Sequence, residues 1–301
     1  MATTVTAPVG NTIALAEKYL PILDEIYKAG AKSSILDTVA ERVRWDGAKK
    51  AYLFNTEMVG LAGYSRNAGF VPGDVNTGWE DYEITQDRGR SFMIDAMDND
   101  ETLGMAFGTL VGEFERTQVI PELDAYRFAK YAGAAAAAQV KTETVSAANI
   151  IGYIDDATVA LDDAEVPYEG RILFVNPNTY KFIKGGITRM VMNDERNINY
   201  NVEFFNDMQV ITVPSGRFNT AVTINAPTTS AAAGGYTATG DAINYMIVHP
   251  SAVLQVVKHQ IPRIFSPEVN QEADAWKFDY RVYHDCWVKA KKTNGIYVSH
   301  A

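Results

Sequence analysis

The chain has 301 residues, 47% hydrophobic and 21% charged, with a formal net charge of -10 and a pI near 5.0. That balance suits a folded protein with a sizeable core, and it argues against a sequence-independent grip on nucleic acid, which needs clustered Lys and Arg. The single cysteine, Cys286, excludes an intrachain disulfide and a multi-cysteine metal site; no secretory signal is visible, and no apolar run approaches the roughly 20 residues of a membrane-spanning helix.

Residues 1–45 begin with small and polar residues, then place Leu15, Tyr19, Leu20, Leu23 and Ile26 at helical spacing. Pro21 and the sparse apolar content of 29–34 favour an arm packed on something else over a long independent helix. Arg44 to Phe54 reads as one strand, polar early and apolar late, and the Gly- and Asn-rich stretch 55–78 as a long loop or hairpin tip. In the following "WEDYEITQDRGRSFMIDAMDNDET", Tyr82, Ile84 and Gln86 fall on one face and Glu83, Thr85 and Asp87 on the other. A register change at Gly89 is expected to carry the alternation on through Phe92 and Ile94. A strand of about 16 residues would span roughly 50 Å. It is expected to pair back on the segment before the tip. Such a ribbon cannot bury both faces inside one domain, so a neighbouring chain must cover part of it.

Asp98–Thr102 supplies acids for a helix start. Helical spacing continues from Leu103 to about Ala138 through Phe107, Leu110, Val111, Phe114, Leu123, Phe128 and Tyr131. A kink or restart is expected at Pro121, and the alanine-rich 133–139 is expected to end the rod. An α/β unit follows: a helix capped by Ser146 with Ile150, Ile154 and Leu161 on one face, then the buried strand "RILFV" at 171–175. Next come a helix opened by Pro177 and closed by glycine, and a hairpin turning near Asn206–Asp207. Residues 219–240, rich in Thr, Ala and Gly, read as a flexible surface loop. Three strands close the chain; in the last, Trp276, Phe278, Tyr280 and Val282 alternate against Lys277, Asp279, Arg281 and Tyr283, and Asn294–Gly295 is expected to turn it into the final "IYVSH".

Candidate chemistry is sparse. Neither a Walker-type loop nor a dinucleotide-binding glycine pattern occurs. Arg88 and Arg90 flank Gly89 on one strand face, where pairing with acids of another subunit is a better reading than anion binding. His249, His259, His284 and His300 lack tight ligand spacing. His284 and Cys286 face one side of a strand and Asp285 the other, so their adjacency is no nucleophilic site, and Cys286 reads as a small core or interface residue. The acids Asp95, Asp98, Asp100 and Glu101 do not match a calcium loop, and Asp155, Asp156, Asp162 and Asp163 read as a solvated helix face. No catalytic, cofactor-binding or metal site is assigned.

The order of parts, with "TQDRGRSFMIDAMDNDET" leading into the Pro121-interrupted helix, "GRILFVNPNTYKFIK" and "VITVPSGRF", resembles the major capsid proteins of tailed bacteriophages with the Hong Kong 97-like fold. The resemblance covers nearly the whole chain. It implies an α+β protein in four parts: an N-terminal arm at 1–43, an extended E-loop hairpin at 44–96, a peripheral domain at 97–143 and 248–301 with a long spine helix, and an axial domain at 144–247. It implies self-assembly as hexamers and pentamers into an icosahedral virion shell, built in the host bacterial cytoplasm, that encloses double-stranded DNA without binding it specifically. The role would be structural, not enzymatic, with no cofactor and no membrane partner. A portal and a separate scaffolding protein are expected partners, the latter because Met1 leads almost directly into the arm; a decoration protein is a further partner the resemblance admits. Trp79, Tyr82, Arg88, Arg90 and Phe92 become subunit-interface candidates, and Gly89 and Gly133 hinge candidates. The competing readings are an encapsulin-type nanocompartment shell and a soluble α/β enzyme using acids with His249 or His259.

Overall fold

A computed structural model describes residues 30–37, 43–46, 49–67, 69–97, 105–188, 202–227 and 234–301. The helical face at Leu15–Ile26 and the acidic helix start at Asp98–Thr102 lie outside the described residues.

The first sheet is an antiparallel ribbon of β1 (Val43–Asp46), β2 (Lys50–Met58) and β3 (Val75–Glu83). Here the expected single strand from Arg44 to Phe54 is two, since Asp46 lies opposite Lys50 and the chain doubles back. The expected long strand from Tyr82 is likewise divided: β3 ends at Glu83, and β4 (Gln86–Asp95) joins a different sheet. The break is at Ile84–Thr85, and no register change occurs at Gly89. The β4 ladder runs unbroken through Gly89, opposite Arg281, and every second residue from Gln86 to Ile94 faces inward.

Two helices follow, α1 (Met105–Phe114) and α2 (Ile120–Ala134), joined by a five-residue π turn, Glu115–Val119. Together they form a rod about 45 Å long at the usual rise. Pro121 sits in the first turn of α2, where its missing N–H leaves a carbonyl one turn back without its helical donor. The widened turn just before it accommodates that defect while the flanking residues keep helical dihedrals. The alanine run does not extend the rod: the helix stops at Ala134, and Ala135 is extended. A short 3-10 turn then leads into β5 (Val140–Thr142).

Helix α3 (Ile150–Asp163) is preceded by Asn149 at the cap position, with Ser146 contributing only its backbone, so the hydroxyl cap expected there is not formed. Strand β6 (Ile172–Val175) is wholly buried, as read. Asn176 caps α4 (Pro177–Thr188), its Oδ1 accepting from the Thr179 amide at 2.7 Å. The helix runs through Gly185 and Gly186 instead of ending there. A Cβ at Gly186 would sit 2.7 Å from Ile151 Cδ1, so this glycine lets α3 and α4 approach closely.

Strands β7 (Phe204–Phe205) and β8 (Met208–Thr212) form the expected hairpin, with Asn206 and Asp207 both at positive φ. Within 219–240, expected as a flexible loop, β9 (Val222–Ile224) and β10 (Tyr236–Ala238) form an antiparallel pair. Then come β11 (Ile243–Val248), β12 (Val253–Phe265), β13 (Ala275–Val288) and β14 (Ile296–His300). No hairpin joins β13 to β14. A 3-10 segment, Ala290–Gly295, carries the chain to another sheet, where β14 pairs with β11 and β5.

The six-stranded sheet, β5-β14-β11-β6-β8-β7, is covered on both faces. Ile172, Phe174, Met246, Val248, Ile296 and Val298 pack with Phe128 and Tyr131 of α2; Leu173, Val175, Tyr245, Ile247 and Tyr297 pack under α3 and α4. Burial on both faces explains why β6 and β11 read as continuous apolar runs without alternation. The sheet draws strands from either side of the 144–247 division. The three-stranded sheet β12-β13-β4 packs one face on α1 and α2 through Phe278, Tyr280, Val282, Val111, Ile120 and Leu123.

Candidate assembly surface

The ribbon carries the largest run of exposed apolar side chains among the described residues. Strands β2 and β3 pair residue for residue from Lys50–Glu83 to Met58–Val75. Beyond them the chain closes through a bridge between Ser65 and Gly69, where Gly69 takes φ +82°. Trp79 stacks edge-on against its cross-strand partner Phe54 at 5.2 Å, and Tyr64 tilts over Phe70 at 4.9 Å. These pairs cover little of each other. Phe54, Met58, Val59, Tyr64, Val71, Val75 and Trp79 are exposed, and Phe70 and Leu61 are 87% and 108% exposed. Apolar area left in water forfeits about 25 cal/mol per Å², and large exposed apolar patches are characteristic of interaction sites.

The ribbon's root is firmly held. Ile84 packs with Leu254 and Val256, its N–H donates to Lys49 O at 2.9 Å, and its carbonyl accepts from the Tyr283 hydroxyl at 3.2 Å. Asp285 Oδ2 accepts from the Thr85 amide and the Thr85 hydroxyl, both at 2.8 Å. Its Oδ1 accepts from the Tyr126 hydroxyl and the Cys286 amide, also at 2.8 Å. Lys291 leans on the ribbon's flank, 2.9 Å from Glu57.

The five interface candidates divide. Trp79 is exposed on the ribbon. Tyr82 lies at its root against Trp287, and burial together with Glu80 pushes its phenol up to about 12. Arg88 finds its acid within its own chain: Nε donates to Glu122 Oε1 at 2.6 Å, and Nη2 to Glu122 Oε2 at 3.2 Å and Asn225 O at 2.7 Å. Arg90 shares that inward face, and Phe92 packs in the core between Phe114 and Phe278. At Gly89 a Cβ would lie 2.8 Å from Tyr280 O, so the two strands approach closely there. Gly133, in the last turn of α2, has open space where its Cβ would be.

The sequence reading missed Asp285, whose partners Thr85 and Tyr126 lie 200 and 159 residues away. Asp285 falls in register with Lys277, Asp279, Arg281 and Tyr283 on the polar side of the strand, so the alternation marks it as one more surface residue.

A groove of about 1000 Å³ separates β4 from α1 and α2; its walls include Phe92, Leu110, Phe114 and Val282. His284 borders it, buried edge-on against Tyr126 and driven down to about 3 by burial, with Arg127 and Arg88 adding to the effect. Cys286 is fully buried, which raises its thiol to about 12 and removes it as a nucleophile near neutral pH. Among the described residues no group of three or more His, Cys, Asp and Glu could hold a metal ion, and no helix is long and apolar enough to cross a membrane.

The sequence matches no family model and no curated protein. Solved structures do match in fold. The capsid structure of cyanophage P-SCSP1u aligns with a TM-score of 0.61 at 12% identity, over 86% of this chain and 85% of that one. A structure from Gordonia phage Cozz gives 0.61 at 12% identity, over 90% and 86%. The asymmetric unit of the bacteriophage PhiM1 mature capsid gives 0.59 at 13% identity, over 85% and 82%. The chain therefore has the mixed α and β fold found in phage capsid structures, along nearly its whole length.

Proposed function

We propose that this chain is the major capsid protein of a tailed bacteriophage, a structural subunit that assembles with copies of itself into the icosahedral shell around packaged DNA. The observation that carries the reading is the apolar ribbon, which the described body leaves uncovered on a fold shared with capsid structures. A second copy is its natural cover, because closed symmetry multiplies one such contact around the particle.

Within this reading, residues 44–96 serve as the E-loop hairpin, 1–43 as the arm, 97–143 and 248–301 as the peripheral domain and 144–247 as the axial domain. Hexamers and pentamers are the assembling units, with a portal and a separate scaffolding protein as partners and a decoration protein as an optional addition. The net charge of -10 suits a wall that encloses DNA without adsorbing it. Exposed Trp79 serves as an interface residue, and Gly133 as a hinge. The chain works as a building block and turns over no substrate.

Electron microscopy and size-exclusion chromatography of the purified chain, alone and with a co-expressed scaffold, test this. Closed shells, tubes or hexamer and pentamer rings are expected. Leu61→Asp with Phe70→Asp should abolish them while leaving the subunit's melting curve unchanged. A monodisperse monomer under every condition would overturn the reading. Shells that enclose a cargo enzyme in place of DNA would replace it with a nanocompartment.

A further inference from the structure

Among the described residues the ribbon and the body share no backbone ladder. β3 belongs to the β1-β2-β3 sheet and β4 to the β12-β13-β4 sheet, and the chain passes between them through Ile84 and Thr85 alone. A two-residue link between separate sheets would ordinarily swivel. In this chain four polar groups of the joint have partners: the Ile84 amide bonds to Lys49 O on the ribbon itself, and the Ile84 carbonyl, the Thr85 amide and the Thr85 hydroxyl bond to the body. Two of the four end on one carboxylate.

Asp285 is 1% exposed, and its four donors are two backbone amides and two hydroxyls, all at 2.8 Å. Burying a carboxylate among neutral donors carries a desolvation cost that an apolar residue at the same place would avoid. What the carboxylate supplies in return is geometry, since its two oxygens join three separate elements. Oδ2 holds the ribbon's joint at Thr85, and Oδ1 holds α2 through Tyr126. One helical turn earlier on α2, Glu122 grips Arg88, three residues past the joint. The helix therefore holds the start of β4 directly, through Glu122 and Arg88, and reaches the joint at Thr85 through Tyr126 and Asp285.

We infer that Asp285 is a positioning residue that sets the angle at which the ribbon leaves the body, and with it the curvature of the shell that the copies form. The statement about the angle rests on this structure alone; the statement about curvature also rests on the capsid reading. A ribbon swivelling freely would let neighbouring copies meet at many angles, and one fixed at its root restricts them to few.

Two variants of the full chain test this. Asp285→Asn keeps the shape and replaces one accepting oxygen with a donor. Thr85→Val is milder, deleting one hydroxyl and keeping the amide. Hydrogen exchange of the soluble subunit reads the joint directly. The Thr85 amide should exchange at least about tenfold faster in Asp285→Asn, the scale expected for loss of one charge-assisted hydrogen bond, while amides in β11 and β14 keep their rates. Electron microscopy of the assembled product reads the curvature: one diameter for the unaltered chain, and a spread of diameters or open sheets for both variants. An unchanged exchange rate at Thr85 in Asp285→Asn overturns the joint. Faster exchange with a single unchanged diameter overturns the link to curvature. An unaltered chain that never assembles, with faster exchange in the variant, overturns the capsid reading and leaves the joint standing. Should Asp285→Asn fail to fold, Thr85→Val decides by the same two readouts, through the amide at position 85 and the diameters.

Discussion

Asp124 offers the sharpest test of how the body is held together. It lies on α2 and is fully buried, yet it accepts from the Lys32 amide at 3.0 Å, the Ser33 amide at 3.1 Å, the Ser33 hydroxyl at 2.7 Å and Arg217 Nη1 at 3.3 Å. One carboxylate thus pins the 3-10 turn Lys32–Leu36 and the loop bearing Arg217 to the same helix. Asp124→Ala would leave those donors with different fates. The Arg217 side chain, 21% exposed, can turn to water, and the Lys32 amide is only partly buried. Ser33 is fully buried, so its amide loses its partner, and its hydroxyl loses the acceptor for its proton while still accepting from Arg127 Nη1 at 3.0 Å. At ~1–3 kcal/mol for each buried unsatisfied group, the expected loss is about 4 kcal/mol, within the range for breaking a buried ion pair. At roughly 2 °C per kcal/mol for a chain of this size, the melting temperature should fall by about 8 °C. Asp124→Asn keeps one acceptor and should lose about half as much. Thermal unfolding of the soluble subunit by circular dichroism is the assay, and an Asp124→Ala melt within about 2 °C of the unaltered chain would refute the reasoning.

The other predictions are shorter. Because the folded chain holds His284 near 3 against an ordinary value of 6.5, the unfolded chain takes up a proton that the folded chain refuses. Stability should therefore fall as pH drops through that window, by about 1.4 kcal/mol per unit from this group. His284→Phe should remove that share of the acid slope, and unfolding titrations with equal slopes for both chains would count against it. Gly89→Ala places a Cβ against the Tyr280 carbonyl and should cost about 1–3 kcal/mol; a neutral melt would mean that the close approach is not real. Phe278→Ala empties the centre of the Phe92, Phe114 and Tyr280 cluster and should cost about 3–5 kcal/mol in denaturant unfolding, with a loss under about 1 kcal/mol arguing that the cluster collapses to fill the space.

Much of this fold is legible locally. The alternation of Trp276, Phe278, Tyr280 and Val282 specifies a strand with one face on a core, and Asn206–Asp207 specifies a two-residue turn through residues that tolerate positive φ. What local pattern cannot state is which strand a strand pairs with. Tyr82 to Ile94 keeps one inward face throughout, so alternation gives no hint that β3 and β4 belong to different sheets. Asn294–Gly295 carries good hairpin chemistry, yet β14 is claimed by β11, whose apolar face it completes. Gly186 looks like a helix stop and is instead a contact point for α3. The joint at Asp285 depends on pairings across 200 residues, which no local spacing encodes.

The ribbon has a ladder of hydrogen bonds but no interior. Beyond its root, the apolar side chains named above are exposed among the described residues, so replacing most of them removes little that the fold relies on. A screen that ranks variants by melting temperature would score such changes as silent, however damaging they were to the particle. Selection on the exposed part of this segment would then act mainly through a contact with another molecule. If that molecule is another copy, both contacting surfaces lie in one gene, and a lesion in the ribbon should be repaired by a second change in the body of the same gene.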